Sequence, residues 1–273
     1  MFEFRPIDAP PRGGLPKAMR NTHIDRYDHL DRAVVAIGND YPPGRLLPAH
    51  AHRRAQLLYG ATGVMQVVTR DGNWVVPPQR AVWIPAGVAH QVRMLGVSTR
   101  SAYIEPGAAR ADRDACEVIE VSPLLRQLLL DAVDMPVAYD EAGRDGALAS
   151  LLLHEVERAP VLPLHIPLPR DRRLAPLCKA FIAAPDARAA PQAWAGRLHM
   201  SPRTFSRHFR QQTGMAFSEW RQRACVVLAL SRLASGDSVT AIALDFGYQS
   251  PAAFSTMFRR VLGRPPTEYL REG

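Results

Sequence analysis

The segment SPRTFSRHFR, residues 201–210, returns 49 residues later as SPAAFSTMFR, residues 250–259. Each copy begins with Ser and Pro, carries two Phe residues four positions apart, and has a Gly four residues beyond its end. Ser is a preferred N-cap of a helix, Pro its first residue and Gly the residue just past its end, while residues four apart share one face. The repeat therefore predicts two short helices, each with one apolar face.

Each of these helices is preceded by another short helical stretch, at Gln192–Leu198 and at Ser238–Asp245. A helix, a tight turn and a second, N-capped helix form the helix-turn-helix layout. Phe217–Ala234 has the length and periodicity of one helix connecting the two units. The alternative is an ordinary helical bundle with a solvated charged face, but two copies in register within one basic segment favour a pair of DNA-reading units.

The charge of the chain is concentrated in the half that carries the repeat. Residues 1–169 hold 18 Lys and Arg against 19 Asp and Glu, whereas residues 170–273 hold 16 against 7. Such asymmetry is typical of a domain that binds a polyphosphate, although a basic membrane-surface domain would show it too. The charge changes at a Pro-rich stretch, so we predict a linker at 161–171 between domains at 1–160 and 172–273.

The N-terminal part has the pattern of a small β protein. Short apolar runs separated by Gly or Pro turns recur about every ten residues between 46 and 104, which indicates an antiparallel barrel or sandwich at about 30–106. Helical patterns follow at about 114–158, where Ser122-Pro123 resembles a helix start. The predicted fold class is α+β, with an antiparallel β-barrel and following helices joined to an all-α C-terminal domain.

Several protein classes are disfavoured by composition. No apolar stretch approaches the ~20 residues of a transmembrane helix, and residues 1–14 contain no apolar run of signal-peptide length. The cysteines, Cys116, Cys178 and Cys225, are odd in number and far apart, so neither a disulfide framework nor a paired metal motif is expected. We expect a cytoplasmic protein with reduced thiols and no membrane partner.

Three histidines of the N-terminal domain form a candidate metal site. His50 and His52 are two residues apart, which on a strand places both on one face, and His90 ends the run IPAGVAH, residues 84–90. The spacing resembles the two motifs of the cupin β-barrel, whose ligands are two His, a Glu and a later His. The resemblance implies that His50, His52, Gln56 and His90 hold a divalent transition metal, with neutral Gln56 in place of Glu and Gln79 in place of a motif Gly. The alternative is that these histidines line a ligand cavity without a metal.

The C-terminal stretch SVTAIALDFGYQSPAAFSTMFRRVLGRPPTEYL, residues 238–270, closely resembles the signature of AraC/XylS-type transcription regulators, and the resemblance extends over residues 172–271. It implies that the first unit reads bases through Arg203, Ser206 and Arg207. In the second unit it implies readout around Ala252, Ser255 and Thr256, which are small and uncharged. This helix is therefore expected to position phosphates as well. The other residues expected at the DNA are Thr204, Arg210, Gln249, Ser250, Arg259 and Arg260.

The stretches HRRAQLLYGATGVMQVVT, residues 52–69, and VPPQRAVWIPAGVAH, residues 76–90, resemble the cupin sensor domain of one subgroup of these regulators. Members often control a neighbouring transporter gene. We expect a sequence-specific activator or repressor that binds double-stranded DNA as a homodimer, responds to a small molecule or metal, and has no catalytic residues. The helices at 122–133 and 145–158 are candidates for dimer contacts, although core packing explains them almost as well.

Two other functions compete with this interpretation. A cupin-type metal-dependent enzyme with an accessory helical domain needs a proton-transfer group, which Gln56 does not supply. A non-specific, nucleoid-type DNA binder would explain the basic half but not the neutral one. Arg53, Arg54 and Arg80 lie near the predicted strands, where they are expected either to be solvated or to bind an anionic effector.

Overall fold

In the computed structural model, which describes residues 21–108 and 113–269, a β-rich part precedes a helical part. The strands are β1 (Val34–Tyr41), β2 (Leu46–His50), β3 (Ala55–Gly60), β4 (Val64–Thr69), β5 (Gly72–Val76), β6 (Arg80–Ile84), β7 (His90–Leu95), β8 (Val97–Ile104), β9 (Glu117–Glu120), β10 (Val161–Leu162) and β11 (His165–Pro167). The helices are α1 (Pro123–Ala132), α2 (Arg144–Arg158), α3 (Leu174–Ala183), α4 (Pro191–Arg197), α5 (Pro202–Thr213), α6 (Phe217–Ala234), α7 (Val239–Asp245), α8 (Pro251–Leu262) and α9 (Pro266–Tyr269). A 3-10 turn at Ile24–Arg26 precedes β1. The predicted α+β class is confirmed, and residues 1–14, discussed above, lie outside the described residues.

The strands form two antiparallel sheets. The first has the order β1-β8-β3-β6-β9-β10 and the second β11-β5-β4-β7-β2. Leu58 and Val82 of the first sheet share one buried cluster with Met65 and Val92 of the second, so the sheets pack face to face. Within the described residues no strand pairing closes the two sheets into a barrel, so the predicted barrel is an open sandwich.

Helices α1 and α2 cover the outer face of the first sheet. Ser122 caps α1, because its Oγ accepts a hydrogen bond from the amide of Leu125 at 3.0 Å. Leu129 of α1 and Leu152 of α2 lie in one cluster with Leu57 of β3. The region from about 114, expected to be helical, begins with strand β9, where Val118 and Ile119 are both buried because the first sheet is covered on both faces.

The Pro-rich stretch at 161–171 is paired rather than free. β10 is hydrogen-bonded to β9 at the edge of the first sheet, and β11 to β5 at the edge of the second. Prolines are tolerated there because an edge strand does not use all its amides. The stretch joins the β-rich and helical parts as predicted, but it crosses from one sheet to the other as two short strands. The domain limits at 160 and 172 stay a prediction.

The helical part is built on aromatic packing. Trp194 of α4, Phe205 and Phe209 of α5, and Phe217 and Trp220 of α6 are all buried, and the ring centroids of Trp194 and Phe217 lie 4.9 Å apart. Such pairs contribute beyond the area they bury. The two-Phe pattern read from the sequence is therefore the inward face of each second helix.

Helix α6 also contacts the second sheet. The Nε2 of Gln66, on β4, donates to the Oγ of buried Ser231 at 2.9 Å. The indole Nε1 of Trp220 donates to the carbonyl of Pro167, on β11, at 2.8 Å. The connecting helix is thus packed against the β-rich part. None of the helices in the described ranges is long and apolar enough to cross a membrane.

Candidate nucleic-acid interface and metal site

Helix α5 is fixed at both ends by the residues that predicted it. The Oγ of Ser201 accepts from the amide of Thr204 at 3.2 Å, and Pro202 follows as the first helical residue. Gly214 ends the helix at a φ of +74°, where its amide donates to the carbonyl of Arg210 at 2.8 Å. A side chain with a Cβ is strained at this φ, which explains the Gly.

The face of α5 opposite the buried Phe residues is open to solvent. It carries every residue predicted to contact DNA in the first unit, which are Arg203, Thr204, Ser206, Arg207 and Arg210. The Oγ of Ser206 donates to the carbonyl of Pro202 at 2.9 Å, so towards DNA this hydroxyl offers only lone pairs. Across the described ranges no carboxylate forms an ion pair with the three arginines, whose guanidinium groups are free to bind phosphate or a guanine edge.

Arg207 and Arg210 differ in their surroundings from Arg203. They line a groove of about 420 Å³ together with Ser206 and with Phe217 and Ser218 at the start of α6. The amides at a helix start carry partial positive charge, so the groove is favourable for an anion such as a backbone phosphate. The groove therefore offers a place for a backbone phosphate at this end of α5, next to the side chains that are predicted to read bases.

Helix α8 has the same kind of caps as α5, but a smaller share of its predicted DNA contacts is charged. Ser250 Oγ accepts from the amide of Ala253 at 3.2 Å, and Gly263 ends the helix at a φ of +78°. The remaining residues predicted at the DNA are exposed, apart from Ser250 and Ser255, which are half-buried; they are Gln249, Ala252, Thr256, Arg259 and Arg260. The arginines lie in the last turn of the helix, away from the small residues at its start.

The turns of the two units share a feature that the sequence comparison missed. The amide of Met200 donates to the carbonyl of Ala195, and the amide of Tyr248 to that of Ala243, both at 2.9 Å. His199 has a φ of +54° where the second unit has Gly247 at +75°. The second turn contains one residue more than the first. A comparison at a fixed offset of 49 residues therefore does not align the two turns.

The spacing of the two units is set by α6. Its 18 residues span about 27 Å at 1.5 Å per residue. Arg232 near its end pairs with Asp237 at 2.6 Å and with Asp245 of α7 at 2.8 Å, which ties the second unit to the connecting helix. The length of α6 is of the same order as the ~34 Å helical repeat of DNA.

His50, His52 and His90 come together in the sandwich. Their ring centroids lie 4.8, 4.4 and 5.3 Å apart, and one ligand atom from each lies within 4.8 Å of the others. The expected geometry was two histidines on one strand. Instead β2 has a register irregularity between Leu47 and His50 and ends at His50, so His52 reaches the group from the loop beyond.

The hydrogen bonds of these histidines leave their Nε2 atoms available. The Nδ1 atoms of His50 and His90 contact the carbonyls of Pro48 and Val88 at 2.7 and 2.8 Å. A carbonyl can only accept, so Nδ1 carries the proton in both rings and Nε2 keeps its lone pair. In the described part of the chain, the Nε2 atoms of His52 and His90 are buried without a partner. Three such imidazoles fit a divalent transition metal.

Electrostatics keep this site in the form a metal requires. Burial, followed by the neighbouring His50 and His90, lowers the pKa of His52 to about 4. Burial is also the main reason why the pKa of His90 is lowered. Both rings are therefore neutral near pH 7, and only neutral imidazole binds a metal.

Gln56 lies in the same cavity. Its Nε2 donates to the Oγ of Ser101 at 3.2 Å and to the hydroxyl of Tyr103 at 3.1 Å, while its buried Oε1 has no partner among the described residues. Oε1 is thus a neutral oxygen atom without a partner at a residue that lines the same cavity as the histidines. The cavity measures about 30 Å³, which suits an ion or a few water molecules better than an organic effector.

Arg54, one of the arginines near the strands, is not solvated, whereas Arg53 remains exposed. Arg54 is fully buried; it donates to the carbonyls of Leu30 and Arg32 and pairs with Asp28 at 3.3 Å and with Glu105 at 2.8 Å. Two neighbours are also engaged, Arg53 by Asp28 and Glu105, and Arg80 by Glu120 at 3.8 Å. These partners already satisfy the charges that an anionic effector would need.

Comparison with known proteins gives matches to both parts of the chain. A model of a helix-turn-helix domain matches residues 194–272, and a model of the AraC-like ligand binding domain matches residues 33–156. The chain is 32% identical over 224 residues to the HTH-type transcriptional regulator NimR of Escherichia coli (strain K12), covering 82% of each chain. It is 40% identical over 83 residues to the HTH-type transcriptional activator RhaS of Escherichia fergusonii, covering 30% of each. Among solved structures, the DNA-binding domain of AdpA in complex with a target DNA is 33% identical with a TM-score of 0.35, covering 37% of this chain and 93% of that one.

Proposed function

The chain belongs to the AraC-type family of helix-turn-helix transcription regulators, and we propose which of its residues read DNA and which of its sites receives the controlling signal. Helix α5 enters a major groove and reads bases through Arg203, Ser206 and Arg207, while Arg210 holds a phosphate. Helix α8 enters the adjacent groove, with base contacts around Ala252, Ser255 and Thr256 and phosphate contacts at Arg259 and Arg260. The other contacts expected at the backbone are Thr204, Gln249 and Ser250.

The observation that carries this proposal is the solvent-exposed face of α5. Its arginines have no acidic partner in the described ranges, and α6, a helix of 18 residues or about 27 Å, connects this unit to the second one. A merely solvated helix face would not need the same N-capped arrangement to occur twice. The two faces together are suited to sequence-specific binding.

Footprinting of the purified full chain on the DNA flanking its own gene tests the proposal. We expect protection of two adjacent major-groove segments one turn apart, and a change in protection when a chelator is added. Equal binding to random duplexes would instead support the non-specific binder and would overturn sequence-specific readout.

For the controlling signal, we propose that His50, His52, His90 and the Oε1 of Gln56 hold a divalent transition metal. The unpartnered, buried Nε2 atoms and the 30 Å³ cavity support a metal there over an organic molecule. When bound, the metal would supply a cross-link between the β2 end and β7, which stabilises the sandwich. Regulation of a neighbouring transporter gene is a further prediction of the family resemblance.

A small-molecule effector has room elsewhere. A cleft of about 490 Å³ lies where Trp74 and Cys116 of the β-rich part face Gln211 and Gln212 at the end of α5. A molecule bound there would contact both the sensor and the recognition helix. Binding of a metal at the histidines and of a small molecule in this cleft are compatible.

We propose that the chain acts as a homodimer through α1 and α2. Leu124 and Leu151 are large apolar side chains with 47% and 42% of their surface exposed, although both helices also pack inward. The double variant Leu124→Glu with Leu151→Glu should be monomeric by sedimentation with an unchanged helical content. A wild-type monomer, or a variant that stays dimeric, would contradict this surface.

The enzyme alternative receives less support. Gln56 provides no proton-transfer group, and a 30 Å³ cavity has no room for an organic substrate beside a metal. We therefore assign no catalytic residues. A regulator that binds chromosomal DNA in a bacterial cell acts in the cytoplasm, and this location is part of the proposal.

A further inference from the structure

The segment at residues 21–30 contributes two residues to the wall of the histidine cavity. Thr22 and His23 line the same cavity as His50, His52 and His90. We propose that His23 supplies a further ligand to the metal, so that metal binding fastens this segment to the sandwich. The inference rests on the proposed metal site and adds a ligand that the HxH motif does not contain.

The backbone around His23 is held beside the cavity. The amide of Asn21 donates to the carbonyl of Gly38 at 2.7 Å, and the amide of Thr22 donates to Oδ1 of Asn39 at 3.1 Å. The Oδ1 of Asn21 in turn accepts from the amide of Asp40 at 3.1 Å. These bonds extend along β1 and fix the position from which the His23 side chain reaches the cavity.

The His23 side chain is mostly exposed to solvent. It is 72% exposed, and its Nδ1 lies 3.6 Å from the carboxylate of Asp25. Its imidazole is close enough to act electrostatically on His52, whose lowered pKa includes a small contribution from His23. The ring lies outside the group of three whose ligand atoms are within 4.8 Å, so rotation of the side chain has to bring it in.

The donor set explains why a further ligand is needed. Three imidazoles leave a borderline divalent ion such as Zn²⁺ or Co²⁺ short of four strong ligands, and the amide oxygen of Gln56 is a weak, neutral one. A fourth imidazole from the cavity wall completes the set. The carboxylate of Asp25, 3.6 Å from Nδ1 of His23, is near enough to accept a hydrogen bond from that nitrogen once the ring has turned, which is how carboxylates orient metal-bound histidines.

Fastening this segment has a consequence beyond the cavity. Buried Ile24 packs in one cluster with Val137, in the connection between α1 and α2, and Arg32 Nε donates to the carbonyl of Tyr139 at 3.1 Å. The segment therefore joins the metal site to the base of the helix pair proposed as the dimer surface. Metal binding should therefore make both this segment and the connection between α1 and α2 better ordered.

Titration of the chelator-stripped full chain with Co²⁺ tests the inference, because the intensity of the Co²⁺ absorption bands reports ligand number. The variant is His23→Ala, and the matched control is His29→Ala, which removes an exposed His of the same segment that does not line the cavity. His50→Ala tests the metal site itself. Hydrogen exchange of residues 21–30 is followed with and without Co²⁺.

We expect wild type and His29→Ala to bind one Co²⁺ with the same spectrum and affinity. His23→Ala should bind one Co²⁺ with a changed spectrum and roughly 10- to 100-fold weaker affinity, and its residues 21–30 should gain no protection from exchange. Wild-type affinity, spectrum and protection in His23→Ala would overturn the role of His23 while leaving the metal site intact. Absence of Co²⁺ binding to wild type would overturn the metal site and this inference together.

Discussion

Replacing Arg207 by Ala is the sharpest test of how α5 reads DNA. The side chain is exposed, and no carboxylate of the described residues pairs with it, so its removal should leave the stability of the fold unchanged. A bidentate contact to guanine is worth about 1–3 kcal/mol of discrimination. We therefore expect affinity for the footprinted site to fall roughly 5- to 150-fold, and affinity for a scrambled duplex to fall much less.

Fluorescence anisotropy on both duplexes, over a range of salt concentrations, measures this difference. Arg259→Ala is the matched control, because Arg259 is an exposed arginine assigned to a phosphate. It should weaken binding to both duplexes by a similar factor and reduce the salt slope by about 0.9. An equal loss on both duplexes for Arg207→Ala would refute base readout by this residue, and so would a loss smaller than twofold on the specific site.

Three further predictions concern stability. Arg54→Ala should lower the free energy of unfolding by about 1–3 kcal/mol, because the carbonyls of Leu30 and Arg32 lose their buried donor while the partly exposed Asp28 and Glu105 keep Arg53; no measurable loss in urea denaturation would contradict this. Gly247→Ala should lower the free energy of unfolding by more than about 1 kcal/mol, because residue 247 has a φ of +75° and an added Cβ would lie 2.8 Å from Asp186 Oδ1. Gly196→Ala in α4 should instead raise it by roughly 0.5–1 kcal/mol. Equal shifts in melting temperature for the two variants would count against this explanation. Burial, and less so Arg223, lowers the pKa of His165 from 6.5 to about 4, so its contribution is complete above pH 6.5 and is lost as pH falls towards 4. His165→Gln should flatten the decline of the urea midpoint between pH 6.5 and 4.5, and an unchanged decline would refute the assignment.

The helical part was readable from the sequence because its signals are local. Ser, Pro and Gly at helix ends act through bonds within a few residues, so α5 and α8 begin and end where SPRTF and SPAAF predict. The same applies to α1 with its Ser122 cap. Strand β9 was not predicted, and β2 was expected to continue through His52, since the pairing partners of these strands are distant in sequence and their runs are short or interrupted by Pro48.

At the candidate site the residue types were foreseeable, whereas their positions were not. The two histidines of the HxH motif meet His90, but His52 arrives from a loop because β2 is irregular. The burial of Arg54 depends on its ion pairs with Asp28 and Glu105, which lie 26 residues before and 51 residues after it in the sequence. Gln79 stands where the cupin motif has Gly. It adopts a φ of +57°, a conformation that favours Gly, so the motif predicts the backbone there although the residue differs.

The packing of α6 against the second sheet connects the metal site to the DNA-reading helices. β7 begins at His90, which is paired in register with Thr69 of β4, and β4 carries the Gln66 that donates to Ser231 of α6. Contacts of this kind transmit control only if the packed elements have two alternative arrangements and the metal binds one of them more tightly than the other. Since α6 fixes the spacing of α5 and α8, a shift of β7 would change that spacing rather than either recognition face. Control of this kind predicts that chelation weakens binding to duplexes carrying both half-sites and spares a duplex that carries only the half-site of α5.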